Sequence, residues 1–375
     1  MKFTIIKNEF LKSLLQVGKI IPQKSTTPIN TNIKISLTSD KLILTGTNGK
    51  VSITSFIPFF KNDKEIIRDI KPGSILVNNN FITEIARKIE GDELTFEVLE
   101  DNIARIKNEK SKFDLNVIDA DEFPSLNFEI SGSSNVVINT QDFVDGINHV
   151  AFAASAKASK IILTGINIEA TGENLSISAT DGYRLAKKDI PLSTNERFSI
   201  TVDAKSMNDV IKSITDEKEI TLKVDEKNVV IELNDTLIMC GLIAGEYPNI
   251  KDRIPKSFYY ILEANSQDVL AAIDRVNILN SNNTEGNIIK LTMSESNVVF
   301  SCKSIQDGAC EDILTLFKYT GDRLEINLNS NYVVDAIRAL KSEDVVLSFL
   351  GEMKFFTVTS KSDPSVVNLI VPVKA

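Results

Sequence analysis

Residues 178–191 read SATDGYRLAKKDIP, and they put an aspartate and a glycine into one turn ahead of a Tyr-Arg pair. Such residues suit three tasks: holding an anion, seating a catalytic carboxylate, or capping a hairpin whose rim is sticky. Glycine adopts positive φ without a Cβ penalty, and an Asp side chain accepts bonds from backbone N–H groups just ahead of it, so Thr180-Asp181-Gly182 is explained as a turn. Asn48-Gly49 in GTNGKVSI fills the same place earlier in the chain, and KSIQDGAC is a looser third version. Recurrence favours a hairpin over chemistry. Tyr183-Arg184-Leu185, by contrast, occurs once, which marks those side chains for function.

Other reactive residue types do not assemble into an active site. His149 is the only histidine; it nearly continues the apolar positions of a helix and reads as a partly buried helix-end side chain. Cys240, Cys302 and Cys310 are odd in number and lack C-x-x-C spacing, whereas a closed zinc site takes four ligands, so they read as reduced thiols and no metal is expected. Asp119, Asp121 and Glu122 in DADEFPSL, and Asp216, Glu217 and Glu219 in TDEKE, gather in loops without the helical spacing that sets two carboxylates on one face. S-x-x-K strings fail on inspection, and neither a G-x-G-x-x-G loop nor a P-loop is present. A non-enzyme is expected.

The elements that carry these residues follow from composition and periodicity. With 375 residues, 42% of them hydrophobic and 25% charged, the chain should form two or three globular domains. A net charge of -9 argues against attraction to nucleic acid over the whole surface, and is silent about a local basic one. No apolar run is long enough to cross a bilayer and MKFTIIKNEF lacks a signal-peptide core, so a cytoplasmic protein is expected.

One order of elements recurs three times. MKFTIIKNEFLKSLLQVGKII, SNVVINTQDFVDGINHVAFAAS and FYYILEANSQDVLAAIDRVNIL each run alternating strand, capping polar residue, amphipathic helix. A second strand–helix–strand unit follows in each copy, in which Phe81, Met207 and Tyr332 are taken as equivalent helix positions. Between the units lie alternating segments punctuated by Asn-Gly, Thr-Gly and Asp-Gly, as antiparallel hairpins require. Linkers fall near residues 126–134 and 250–257. The predicted class is α+β, in three domains (1–128, 129–254 and 255–375), each with two helices packed on curved antiparallel sheet. Lys12, Lys19, Arg87, Lys212 and Arg338 share or flank the helices with Glu9, Glu84, Asp145, Asp209 and Asp335, so no basic stripe is legible.

At this point the chain resembles the bacterial sliding clamps, the β subunits of the DNA polymerase III holoenzyme. The resemblance spans the full length and rests on MKFTI, LTGTN, DEFPSL, TDGYRLA, EYPNIKDRIP and NLIVPVKA, in order within a triplicated chain. It implies the DNA-clamp fold, two crescents closed head to tail into a homodimer ring around double-stranded DNA, and no cofactor. It implies tethering of the replicative polymerase for processivity, with a clamp loader, repair polymerases, mismatch-repair proteins and DNA ligase as further partners, and no membrane. A non-catalytic scaffold without DNA encirclement is the alternative. Carried over residue by residue, the DNA-facing set is Lys24, Lys110, Lys112, Lys160 and Lys205; Asn79 and Asn80 replace a basic pair, and Ile161 and Ile162 replace tyrosines. The implied peptide groove comprises Leu163, Thr180, Tyr183, Arg184, Leu185, Pro248, Arg253 or Ile254, Asn329, Tyr332, Met353, Val371, Pro372 and Val373. Tyr183 stands where many relatives carry histidine, and Arg253 where a small apolar residue is familiar.

Overall fold

The structure is a computed structural model and describes residues 1–100, 102–130, 134–157, 160–214, 217–250, 253–255, 257–279, 287–304 and 308–374. Parts of both expected linkers (131–133, 251–252 and 256), the centre of the third turn (305–307) and Asp216 therefore lie outside the described residues. Six helices appear among the described residues: α1 (Lys7–Gly18), α2 (Asn79–Lys88), α3 (Thr140–Val150), α4 (Ala204–Ser213), α5 (Ser266–Asn277) and α6 (Ser330–Leu340). They come as one pair in each third of the sequence, as the repeat requires.

Periodicity explains the elements. In strand Lys41–Thr47, Leu42 and Leu44 are fully buried while Ile43 and Thr45 are half-buried, the two-residue alternation of a strand with one face on the core. Helix α1 buries Phe10, Leu14 and Val17, and α6 buries Val333, Ala336, Ile337 and Leu340, each a single stripe at helical spacing. Asn78, Asn265 and Asn329 cap α2, α5 and α6 through side-chain oxygens that accept two backbone N–H bonds apiece. These caps correct the proposed equivalence of Phe81, Met207 and Tyr332. Counted from the residue before each helix, Met207 matches Ile82 and Val333, and all three are buried; Phe81 and Tyr332 stand one place earlier, on the rim, with Phe81 62% exposed.

The chain packs into two compact units that both draw on the middle third: residues 1–141 with 205–242, and residues 142–204 with 243–375. Antiparallel pairing is the cause. In the first unit, strand Thr236–Gly241 pairs with Val51–Pro58, matching Ile238 to Ile53 and Cys240 to Val51, and so joins two thirds into one sheet. In the second, Arg184–Pro191 pairs with Val366–Ile370, from Arg184 opposite Ile370 to Lys188 opposite Val366. The first core is built around Phe3, which stacks on Phe96 at 5.2 Å and meets Phe10 edge-on at 6.0 Å. The second gathers Leu262, Ile273, Phe300, Ile337, Phe349 and Phe356.

Phe96 is fully buried within that stack. Phe96→Ala should cost about 3–5 kcal/mol of stability, because the cavity refills only in part. The check is the fall in the midpoint of urea unfolding followed by circular dichroism.

Candidate functional site

The Thr180–Leu185 turn is a bonded copy of the turn at Thr47–Val51, with one addition. In the earlier turn the Asn48 side-chain oxygen accepts the N–H groups of Lys50 and Val51, while Thr47 Oγ1 accepts Gly49 N–H and donates to the Val51 carbonyl. In the later one Asp181 Oδ1 accepts from Tyr183 (2.8 Å) and Arg184 (2.9 Å), and Thr180 Oγ1 accepts Gly182 N–H and donates to the Arg184 carbonyl. Gly49 and Gly182 sit at φ +89° and +92°. At Gly182 a Cβ would meet nothing within 4 Å, so backbone conformation alone demands the glycine.

The addition is Arg184. Its Nε donates to Asp181 Oδ2 at 3.1 Å and its Nη1 to Asp335 Oδ2 at 2.6 Å, and the guanidinium lies 4.5 Å from the Tyr332 ring centroid and 5.3 Å from that of Phe152. With 14% of the side chain exposed, the fork is spent on internal carboxylates and aromatic faces. It therefore ties the turn to α6 and is not held out as a rim group. Tyr247 adds a second tie: Thr180 N–H donates to its hydroxyl at 2.9 Å, and burial pushes the phenol well above its ordinary value.

Strand register gathers the remaining groups at one end of one sheet. Arg184 faces Ile370, and Ile370 faces Phe356 on its other side, so the turn, the segment after Ile370 and the 350–355 connection bearing Met353 all emerge together. Past the strand, Val371 N–H donates to the Tyr183 carbonyl at 2.9 Å and Val373 N–H to the Asn327 carbonyl at 2.8 Å, which carries Pro372 between the turn and the strand leading into α6. Asn329 caps that helix and so fixes the start of the turn that bears Tyr332. Asn167 faces Ser178, which brings the Leu163 end of the preceding segment towards Thr180; the Leu163 carbonyl accepts from Ser155 N–H. Leu185 is buried beneath the turn, and Pro248 follows Tyr247 and is exposed. For Arg253 and Ile254 the described contacts extend only to an Arg253 N–H bond to the Ile250 carbonyl. Tyr183, Met353 and Val371 are 64%, 60% and 40% exposed, an apolar surface over a rigid base.

Sequence reasoning missed three contributors. Phe152 and Tyr247 lie in the segments HVAFAAS and EYPN, and Asp335 looked like a solvent-facing helix charge. Only the fold reveals that Arg184 reaches across to the last of these.

The five lysines named above are all exposed. Lys110 pairs with Glu90 at 2.8 Å, a contact between two exposed groups that holds weakly. Lys205 stands in the first turn of α4, where a cation opposes the helix dipole and gains from a nearby anion. Asn79, one of the two residues that stand in place of a basic pair, is buried; its amide lies close to where a Cβ on Gly18 would fall and it accepts from Thr83, so it packs α2 against α1. Ile161 is 71% exposed and Ile162 half-buried. Among the described residues no group of His, Cys, Asp and Glu side chains is placed to hold a metal, and no described helix is long and apolar enough to cross a membrane.

Comparison with known proteins agrees with this architecture. Models of the N-terminal, central and C-terminal domains of the DNA polymerase III beta subunit match residues 1–127, 137–249 and 251–374. The beta sliding clamp of Bacillus subtilis (strain 168) is 31% identical over 380 residues, covering 100% of both chains, and that of Staphylococcus epidermidis (strain ATCC 12228) is 29% identical over 376. The crystal structure of the DNA polymerase sliding clamp from Bacillus subtilis superposes with a TM-score of 0.92 at 30% identity, over 100% of this chain and 99% of that one. The DNA polymerase III beta chain from Streptococcus pneumoniae gives 0.93 at 28%, over 100% of each. Repeated helix pairs on antiparallel sheet thus define a three-domain DNA clamp. The chain belongs to the DNA polymerase III beta-subunit family, and it is a sliding clamp, a non-catalytic processivity factor that encircles DNA and tethers the polymerase.

In a clamp His149 is a structural residue, and its titration affects stability. It is 6% exposed in the last turn of α3, with Nδ1 2.5 Å from the Asp145 carbonyl; burial, aided by Lys188 and Lys341, holds the imidazole below its ordinary value and outweighs the Asp145 carbonyl and carboxylate, which favour the proton. The folded state then binds fewer protons than the unfolded one. Stability is unaffected above the unfolded value of 6.5 and falls as pH drops below it. His149→Gln should flatten the fall in unfolding free energy as pH drops below 6.5, as read from urea midpoints on either side of that value.

Proposed function

We propose that the surface over Arg184 receives short linear peptides from the clamp loader and the replicative polymerase, and from repair polymerases, mismatch-repair proteins and DNA ligase. The observation that carries this is the convergence of Tyr183, Met353 and Val371 on a base locked by Arg184, Tyr247 and the segment after Ile370. A large apolar peptide side chain gains most where the receiving surface is already ordered, because little conformational freedom is lost on binding. Thr180, Leu185, Asn329 and Tyr332 act as the frame. Leu163, Pro248, Ile254, Pro372 and Val373 act as walls, and Arg253 sets a preference at the edge.

The ring closes head to tail between two copies of the chain, with domains near 1–128, 129–254 and 255–375, in the cytoplasm. Supporting this are two strands with one side unpartnered among the described residues. Residues 112–116 pair only with 103–107, and Gly308–Leu314 pairs only with Val298–Ser304; they carry Phe113 and Ile313, 38% and 59% exposed. Such edges invite pairing with another chain, and ring closure satisfies both at once. Lys24, Lys110, Lys112, Lys160 and Lys205 face the phosphate backbone and read no bases. A net charge of -9 keeps that hold weak enough for sliding.

The deciding measurement is retention on DNA after loading by the cognate clamp loader with ATP. The clamp should stay on a nicked circular plasmid and leave once the plasmid is cut; equal retention on both would overturn encirclement. For the groove, Tyr183→Ala and Met353→Ala should each weaken binding of a fluorescent Leu-Phe peptide roughly ten- to hundredfold by anisotropy, the loss expected for one well-buried apolar contact.

A further inference from the structure

Cys302 and Cys310 stand directly opposite each other on the antiparallel strands Val298–Ser304 and Gly308–Leu314. Residues paired in this way point to the same face of the sheet, with Cα atoms about 4.5–5.5 Å apart, inside the roughly 4.4–6.8 Å that a disulfide spans. The sequence spacing hid the pair, because seven residues separate the two cysteines and only the register aligns them. Cys302 is 6% exposed within the core of its unit; Cys310 is half-buried, and its S–H donates to the Val276 carbonyl at 3.4 Å near the end of α5. One thiol is thus within reach of a small oxidant, and the second waits behind it.

We propose that Cys302 and Cys310 form a reversible dithiol–disulfide site that reacts with small-molecule disulfides. The Cys310 thiolate attacks one sulfur of the oxidant, forming a mixed disulfide and releasing the other half as thiolate. The Cys302 thiolate then attacks the Cys310 sulfur, forming the cross-strand bond and expelling the second half. Two protons and two electrons pass to the oxidant, which leaves as two thiols. Because Cys310 gives up its S–H, the bond to the Val276 carbonyl is lost. A disulfide with one partly exposed sulfur stays open to attack by a thiol, which makes the bond reversible. The bond would also staple Gly308–Leu314, the strand assigned above to ring closure. That consequence rests on the ring-closure proposal, whereas the thiol chemistry is tested without reference to dimerisation.

The test is incubation of the full chain with oxidised glutathione, blocking with N-ethylmaleimide and peptide mapping without reductant. A Cys302–Cys310 linkage should appear and vanish with dithiothreitol. Cys302→Ser should retain glutathione on Cys310, and Cys310→Ser should leave Cys302 unmodified over the same interval. Recovery of both wild-type cysteines as maleimide adducts would overturn the proposal, as would a lasting glutathione adduct on Cys310 beside a thiol at Cys302.

Discussion

Pairing of residues 184–188 with 366–370 is the constraint on which the candidate site depends. It sets the end of the chain's last strand beside a turn from the middle third, so the backbone beyond Ile370 can bond to Tyr183 and then to Asn327. With that register fixed, the Arg184 guanidinium lies within reach of Asp335 and Tyr332 on α6. A slip of one residue would send every side chain of the strand to the opposite face. Packing of Val366 and Ile370 into the core opposes such a slip.

Arg184 resolves a tension in the site. A charged fork beneath an apolar surface is costly to desolvate, yet two carboxylates and two aromatic faces satisfy it. The cation thus serves as a fastener between elements, and the surface above it stays apolar. The corresponding turn at Thr47–Val51 has Val51 where Arg184 stands, so the same hairpin bonds recur there without that guanidinium.

Much of this was legible in the sequence because it is local. The alternation of Leu42 and Leu44, the stripes of α1 and α6, the asparagine caps and the Asx-Gly turns are all set by residues a few places apart. Where relations became long-range, legibility failed. The Arg184–Asp335 bond crosses 151 positions, the Thr180–Tyr247 bond 67, and Cys302 meets Cys310 only through strand register. The packing of Asn79 was not legible for a related reason: its environment is set by Gly18 on another helix. The equivalence of Phe81 with Met207 failed by one residue, a small error in number that separates rim from core.

Chain order has a consequence for synthesis. All the segments of the unit made of residues 1–141 and 205–242 have been translated before strand 366–370 exists. During that interval strand 184–191 lacks its neighbour, the Tyr183 carbonyl has no Val371 N–H to accept, and Asp335 joins the chain long after Arg184. A ribosome-bound product can therefore bury its first core while its platform is unfinished. The surface proposed above to receive peptides is thus assembled only once residues 366–373 have been made, because their backbone bonds complete it.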